Sequence, residues 1–371
     1  MTSVLAAERV CPPGRPVPGW VAITDGLIAE VGSGPAPAGA VDAGPALLAP
    51  GFIDLQVNGV DDVDFFSADP DGWRRAGRAQ LEEGVTAYCP TLVTAPLDEY
   101  GAALERAQAA RSVAVHESLP TIVGVHLEGP FLGGAPGAHP VALVRPADCE
   151  WLRALLAAFP RLVTIVTLAP EADPGLAATR LLTENGVTVA LGHSTATYDA
   201  ARAAADAGAR LVTHLFNGMG PLHHRTPGLA GAALDDERLT PTLIPDLVHV
   251  HEAALRLAIH RKHNVGLVTD RVATEGLRVA EDGTARLADG TLAGSTLSMQ
   301  RAVHNTVGLG VPVERAVEMA TTIPADVLGL AGRGRIAPGM RADLVALDPE
   351  SLAVRAVWLG GELAMGSAEL R

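Results

Sequence analysis

The spacing of apolar positions changes twice along the chain. In the first 49 residues it is β-like: runs at 21–24 and 27–31 flank Asp25-Gly26, a two-residue hairpin signal. From about residue 50 to 330, short apolar runs alternate with amphipathic stretches. Buried strands are predicted at 52–57, 85–88, 121–127, 162–168, 187–191, 211–213, 243–250 and 265–269. Helices are predicted at 71–83, 97–111, 146–159, 197–207 and 252–262, and again at 299–309 and 313–330. Apolar strands alternating with helices mean a parallel α/β sheet covered on both faces. Eight such units fit a (β/α)8 TIM-type barrel better than an open sheet. The β pattern returns at 342–347 and 353–359, with Gly360-Gly361 as a turn before Glu362-Leu363. Neither terminal set has enough strands to stand alone, so the two are expected to pair into one small sheet unit. The expected division is 1–49 plus 336–371 for that unit and 50–335 for the barrel.

Composition then removes whole classes of function. The 371 residues are 48% hydrophobic and 19% charged, with a formal net charge of −14, which describes a globular domain. No apolar stretch reaches the roughly 18 residues that cross a bilayer. The acidic balance and the lack of a basic run argue against nucleic acid as a partner. The start of the chain lacks the basic and apolar regions of a signal peptide, and Cys11, Cys89 and Cys149 are odd in number and far apart. A cytoplasmic protein with reduced thiols is therefore expected. Lys262 is the single lysine, placed between a predicted helix and strand, on the barrel face opposite an active site. That argues against Schiff-base chemistry and a lysine-bridged metal pair. Phosphate-loop, dinucleotide-binding and nucleophile-elbow motifs are absent.

What remains is positional. Gln56 and Asn58 end the first predicted strand, and Glu128 follows the third. His193 and His214 follow the fifth and sixth, His249 ends the seventh, and Asp270 follows the eighth. In a β/α barrel these ends converge on one mouth. Two His and one Glu form an open, catalytic type of zinc site, so Glu128, His193 and His214 are the candidate ligands. Asp270 is the candidate general base, or alternatively a helix N-cap. His139, on the loop after Glu128, is a candidate for polarising a carbonyl oxygen. Asn217, Gly218, Arg225 and His249 are candidate anion binders, or else part of a solvated loop.

These residues stand in recognisable surroundings: Pro50-Gly51-Phe52-Ile53-Asp54-Leu55-Gln56-Val57-Asn58-Gly59, His126-Leu127-Glu128-Gly129-Pro130-Phe131, Gly192-His193-Ser194, Thr213-His214-Leu215-Phe216-Asn217, Arg225-Thr226-Pro227-Gly228, Leu267-Val268-Thr269-Asp270 and 292–299, ending in Met299. Together, and in this order, they resemble the amidohydrolase superfamily and within it the N-acetylglucosamine-6-phosphate deacetylase family. The resemblance implies a barrel with a small β-sandwich from both termini, a homodimer, and hydrolysis of the acetamide of N-acetylglucosamine 6-phosphate to acetate and glucosamine 6-phosphate. It implies metal ligation by Glu128, His193 and His214, acid/base work by Asp270 and carbonyl polarisation by His139. Substrate binding falls to Asn217, Gly218, His249 and Met299, with Arg225 reaching the neighbouring subunit's site. Gln56-Val57-Asn58 replaces the His-x-His of two-metal members, so one divalent ion is expected: Zn²⁺ first, with Fe²⁺, Co²⁺ or Mn²⁺ as alternatives. Gln56 is expected beside that ion, hydrogen-bonding its water.

The chain also departs from the family. Pro245-Asp246-Leu247 stands where Ala-Asp-Gly is usual, Gly218 replaces an alanine, and Ala135-Pro136 stands in place of the basic residue common before His139. Arg271 follows Asp270 directly, where the family places a small residue. Either its guanidinium weakens the base, or it turns away toward Glu275. Deacetylation of another N-acyl amino sugar or amide, or a weakly active paralogue, are the alternatives.

Overall fold

A computed structural model describes residues 2–14 and 16–367; Met1, Arg15 and residues 368–371 of the expected terminal unit lie outside it. Strands Phe52–Val57, Val85–Val93, Val125–Glu128, Val163–Leu168, Thr188–Leu191, Leu211–Val212, Thr240–Leu243 and Gly266–Leu267 pair in parallel in chain order. A parallel bridge between Val57 and Arg271 brings the last back to the first. The result is the (β/α)8 barrel that the alternation of strands and helices predicts. All six residues of the first strand are buried, as a sheet covered on both faces requires. Helix starts follow from their caps: the Asp69, Asp148, Thr197 and Ser298 side chains each accept a backbone N–H of the first turn. Each such cap contributes about 1 kcal/mol.

Several boundaries differ from the sequence expectation. The second strand continues to Val93 through Pro90, tolerated because its pairing with the first strand is irregular between Asp54 and Val57. The seventh strand is Thr240–Leu243, not 243–250. Beyond it the Asp246 carboxylate accepts the Val248 and His249 N–H groups, forming a turn in place of a ladder. His249 therefore sits on a loop. The expected helix at 313–330 is two, Val313–Ala320 and Thr322–Val327, interrupted where Pro324 lacks an N–H. Helices Ala177–Glu184 and Gly228–Asp235 were not expected from the pattern, nor was the antiparallel trio Arg278–Val279, Thr284–Arg286 and Leu292–Ser295.

The termini do pair. Leu47–Pro50 runs antiparallel to Leu344–Leu347, joining the N-terminal strands to the C-terminal ones in one eight-stranded sheet. That sheet has its own core, with Leu5, Val21 and Ile28 meeting Leu344, Ala346 and Trp358. Asp25 and Gly26 have φ of 51° and 79°, the left-handed pair a tight hairpin needs. Lys262 is buried at the amino ends of the strands, its Nζ donating to the Asp236 carbonyl (2.9 Å) and Glu237 Oε2 (3.3 Å). It thus lies on the face opposite the polar strand ends.

Candidate metal centre and active site

Glu128 closes its strand, while His193, His214 and Asp270 stand just beyond theirs. The latter three have φ of 49°, 30° and 48°. The left-handed region costs an L-residue about 1–2 kcal/mol, and such strain gathers where function requires a fixed direction. The kinks turn the chain outward into loops while the side chains gather over the barrel mouth.

There, three donors meet. Glu128 Oε1 lies 3.0 Å from His193 Nε2 and 3.0 Å from His214 Nε2, and the two nitrogens are 3.1 Å apart. A tetrahedral ion with bonds of about 2.0–2.1 Å sets its ligand atoms roughly 3.3 Å apart, so the triangle fits a divalent cation. Charge agrees with geometry. Burial opposes ionisation of Glu128, yet the two imidazoles hold its carboxyl well below the ordinary range. Burial likewise opposes charging His214, and Glu128 overcomes it, raising the imidazole. The cluster calls for positive charge at its centre. His193 is oriented for ligation because its Nδ1 meets the Ala135 carbonyl (3.2 Å), leaving the Nε2 lone pair free. His214 Nδ1 is buried without a hydrogen-bond partner among the described residues.

His139 lies against this group, its ring 4.4 Å from that of His193, and one donor atom each from Glu128, His139 and His193 fit within 4.8 Å. The wider spacing and the tautomer argue for a different part. Thr94 N–H points at His139 Nδ1 (3.4 Å) and Thr94 Oγ1 lies 2.8 Å from it, so Nδ1 accepts and the proton sits on Nε2. Burial and the neighbouring His193 push His139 down to about 3, so its ring is neutral. A neutral Nε2–H is a donor, suited to a carbonyl oxygen rather than to a cation.

Asp270 is half-buried at the cavity wall. Burial and the nearby Glu128 charge raise its carboxyl to about 6, against the lowering influence of His214, His249 and the Asn58 amide. Asn58 Nδ2 donates to Oδ1 (2.9 Å), and Gln56 Nε2 donates to the same oxygen (3.1 Å) and to Glu128 Oε1 (3.0 Å). Gln56 thus ties the two carboxylates together. Arg271 turns away: its guanidinium pairs with Glu83 Oε1 (2.7 Å) and Asp61 Oδ1 (2.6 Å), not with Glu275. The base escapes its cationic neighbour because the backbone of Arg271 forms the barrel seam and aims its side chain outward.

Glu128, His139, His193, His214, Asn217, Gly218, His249 and Asp270 line one cavity of about 1080 Å³, at the large end for small-ligand sites. Asp246 Oδ2 holds His249 Nδ1 at 2.5 Å, fixing the ring by one nitrogen. Two expected substrate contacts are not in this cavity. Met299 is fully buried at the start of its helix, packed in the barrel core. Arg225 is exposed on the loop after Asn217 and does not line its own chain's cavity. Other supporting residues went unread. Thr94 follows the second strand, and Glu171, after the fourth, accepts from Ser194 Oγ (2.6 Å), Thr195 N (2.7 Å) and Gly134 N (3.2 Å), bracing both loops around the histidines. The rule that found Glu128, polarity at a strand's carboxyl end, would also have found these two.

Known proteins share this fold. Residues 47–364 match the model of the amidohydrolase family. N-acetylgalactosamine-6-phosphate deacetylase of Escherichia coli O157:H7 is 39% identical over 98% of this chain and 100% of its own length. Human N-acetylglucosamine-6-phosphate deacetylase is 41% identical over 87% of this chain and 84% of its own. Among solved structures, N-acetyl-D-glucosamine-6-phosphate deacetylase from Mycobacterium smegmatis, in complex with N-acetyl-D-glucosamine-6-phosphate, superposes with a TM-score of 0.91 at 36% identity, covering 98% of this chain and 99% of that one. By sequence match and by fold, the chain belongs to the amidohydrolase family.

Proposed function

We propose that this chain is a metal-dependent deacetylase that hydrolyses the acetamide of N-acetylglucosamine 6-phosphate to glucosamine 6-phosphate and acetate. The observation that carries it is the Glu128, His193 and His214 triangle with the raised carboxyl of Asp270 beside it, in the wall of the same cavity. Glu128, His193 and His214 would hold one divalent ion, with Zn²⁺ suited to two imidazoles and a carboxylate. Gln56 and Asn58 turn N–H groups, not acceptors, toward the carboxylates, which favours a single ion. When bound, the ion lowers the pKa of water to about 7 and polarises a carbonyl.

The chain's own groups do the rest. Asp270 takes the proton of the attacking water and returns it to the departing nitrogen. Gln56 and Asn58 hold Oδ1 of that carboxylate. His139 donates from Nε2 to the acetamide oxygen, with Thr94 fixing the tautomer. The Gly218 backbone N–H, the Asn217 side-chain amide and the His249 ring receive the phosphate, the Asn217 backbone N–H being committed to the His214 carbonyl (3.0 Å). Arg225 serves the neighbouring subunit of a homodimer, in keeping with its exposure outside its own cavity. The setting is the cytoplasm. Outward pairing of Arg271 removes the reason for reading the chain as a weakly active paralogue.

One observation favours a second substrate: the E. coli relative that matches over its whole length acts on the galacto epimer. The test is acetate release by metal-reconstituted protein from both 6-phosphorylated epimers and the unphosphorylated sugar, beside Asp270→Asn. Turnover restricted to phosphorylated sugars and lost in the variant supports the reading, and the ratio of epimers names the substrate. Turnover that survives Asp270→Asn removes Asp270 from its role.

A further inference from the structure

One charged group near the mouth has no part in the chemistry above. Asp54, on the first strand, is completely buried, and no cation pairs with it among the described residues. A buried carboxylate is unfavourable unless its bonds are needed, and an apolar residue would fill the position more stably.

Its bonds converge on one residue of the eighth-strand segment. Thr269 Oγ1 donates to Asp54 Oδ2 (2.6 Å), and Thr269 N donates to Oδ1 (3.3 Å), which also takes the Gln56 N–H (3.2 Å). With its proton committed to Asp54, the Thr269 hydroxyl presents a lone pair to Arg271 N–H (3.2 Å). It thereby bridges across Asp270, whose backbone has φ of 48°. The remaining groups of the two flanking peptides are also held. Ser295 Oγ donates to Thr269 O (2.6 Å), Asp270 N donates to Gln56 O (2.9 Å), and Ser295 N donates to Asp270 O (3.0 Å).

We propose that Asp54 is the positioning residue for Asp270, acting through the Thr269 hydroxyl to hold the strained turn that aims the acid/base group. This rests on Asp270 being the acid/base. Misplacing a reacting group by about 1 Å costs roughly 100-fold in rate. A purely structural bond closing the barrel seam would instead alter stability and leave turnover per folded, metal-loaded enzyme unchanged.

The test is steady-state kinetics and bound-metal analysis of Thr269→Val, Thr269→Ser, Asp54→Asn, their Asp54→Asn/Thr269→Val combination and Asp270→Asn. Thr269→Val keeps the volume and removes the hydroxyl, so kcat should fall at least roughly 10-fold with KM and metal content unchanged. Thr269→Ser, which restores the hydroxyl, should stay within about threefold of the parent, and the double variant should be no worse than Thr269→Val. Three results overturn the proposal: full kcat in Thr269→Val, equal losses in the Val and Ser variants, or loss of metal in step with kcat. The two readings fail separately. An active Asp270→Asn removes the acid/base assignment, whereas an inactive Asp270→Asn beside a fully active Thr269→Val removes only the role of Asp54.

Discussion

Gly218 is where a single methyl group tests how tightly the metal centre is built. Its φ is +55°, and a Cβ built there would lie 2.7 Å from His193 Nδ1 and 2.9 Å from His193 Cε1. In Gly218→Ala the left-handed backbone costs about 1 kcal/mol. Crowding the ring adds roughly 1–3 kcal/mol. His193 has little room to yield, since Nδ1 meets the Ala135 carbonyl, Nε2 faces Glu128 and His214, and His139 stacks edge-on at 4.4 Å. The least costly response is a small rotation that stretches the Ala135 contact and moves Nε2 off the triangle. Disturbing such a supporting bond typically weakens metal binding by about 10–100-fold. Competition for Zn²⁺ against a chromophoric chelator, with urea unfolding of the metal-free protein alongside, separates the two costs. Metal affinity and stability both within about 0.5 kcal/mol of the parent would refute the argument, since the loop would then absorb the methyl without touching His193. The outcome is informative because the resembled family usually carries alanine at this position.

Other consequences can be checked independently. Burial, opposed by the Thr269 and Gln56 hydrogen bonds, lifts Asp54 from 3.8 to about 7. The folded state therefore binds that proton more tightly than the unfolded chain, so this contribution is full below about pH 4 and is lost as pH rises to about 7. The urea midpoint of Asp54→Asn relative to the parent should accordingly improve across that window; a pH-independent difference would show that Asp54 does not titrate there. In the proposed homodimer, mixing Arg225→Ala with Asp270→Asn subunits should recover about a quarter of parental activity, because half the dimers would be mixed and each of those would carry one complete site. No recovery after subunit exchange would place Arg225 in its own site or outside catalysis. Leu247 has φ of 68° where many members of the resembled family have glycine, and it is 44% exposed. Leu247→Gly relieves about 1–2 kcal/mol of strain against about 0.5–1 kcal/mol of added chain entropy, so thermal unfolding should shift up slightly. A lower melting temperature would mean that the leucine packs on something that matters.

Much of the barrel was legible because burial on both faces writes each strand as an apolar run and each helix as a one-sided pattern. Phe52–Val57 and Glu252–Arg261 fall where the pattern puts them to within a residue. The pattern misled at Pro90, where a proline hid half a strand, and after Leu243, where apolar residues continue but the Asp246 turn breaks the ladder. It was silent on Gly228–Asp235, whose small residues are nearly all buried and leave no polar face to give a period.

The chain by itself determined which residues arrive at the mouth, because a side chain at the carboxyl end of a barrel strand has one place to go. Glu128, His193, His214 and Asp270 follow from that rule alone. Only the tertiary structure decided what each one faces. Arg271 is one residue from Asp270 in sequence, yet its charge lies with Glu83 and Asp61. Met299 stands beside a recognisable motif, yet it is core. Asp54 reads as one more residue of an apolar strand, yet it holds the turn on which Asp270 sits. Direction depends on backbone torsions and on neighbours some 200 residues away, as with Asp54 and Thr269, which are 215 apart in the chain. Local pattern carries no information about either.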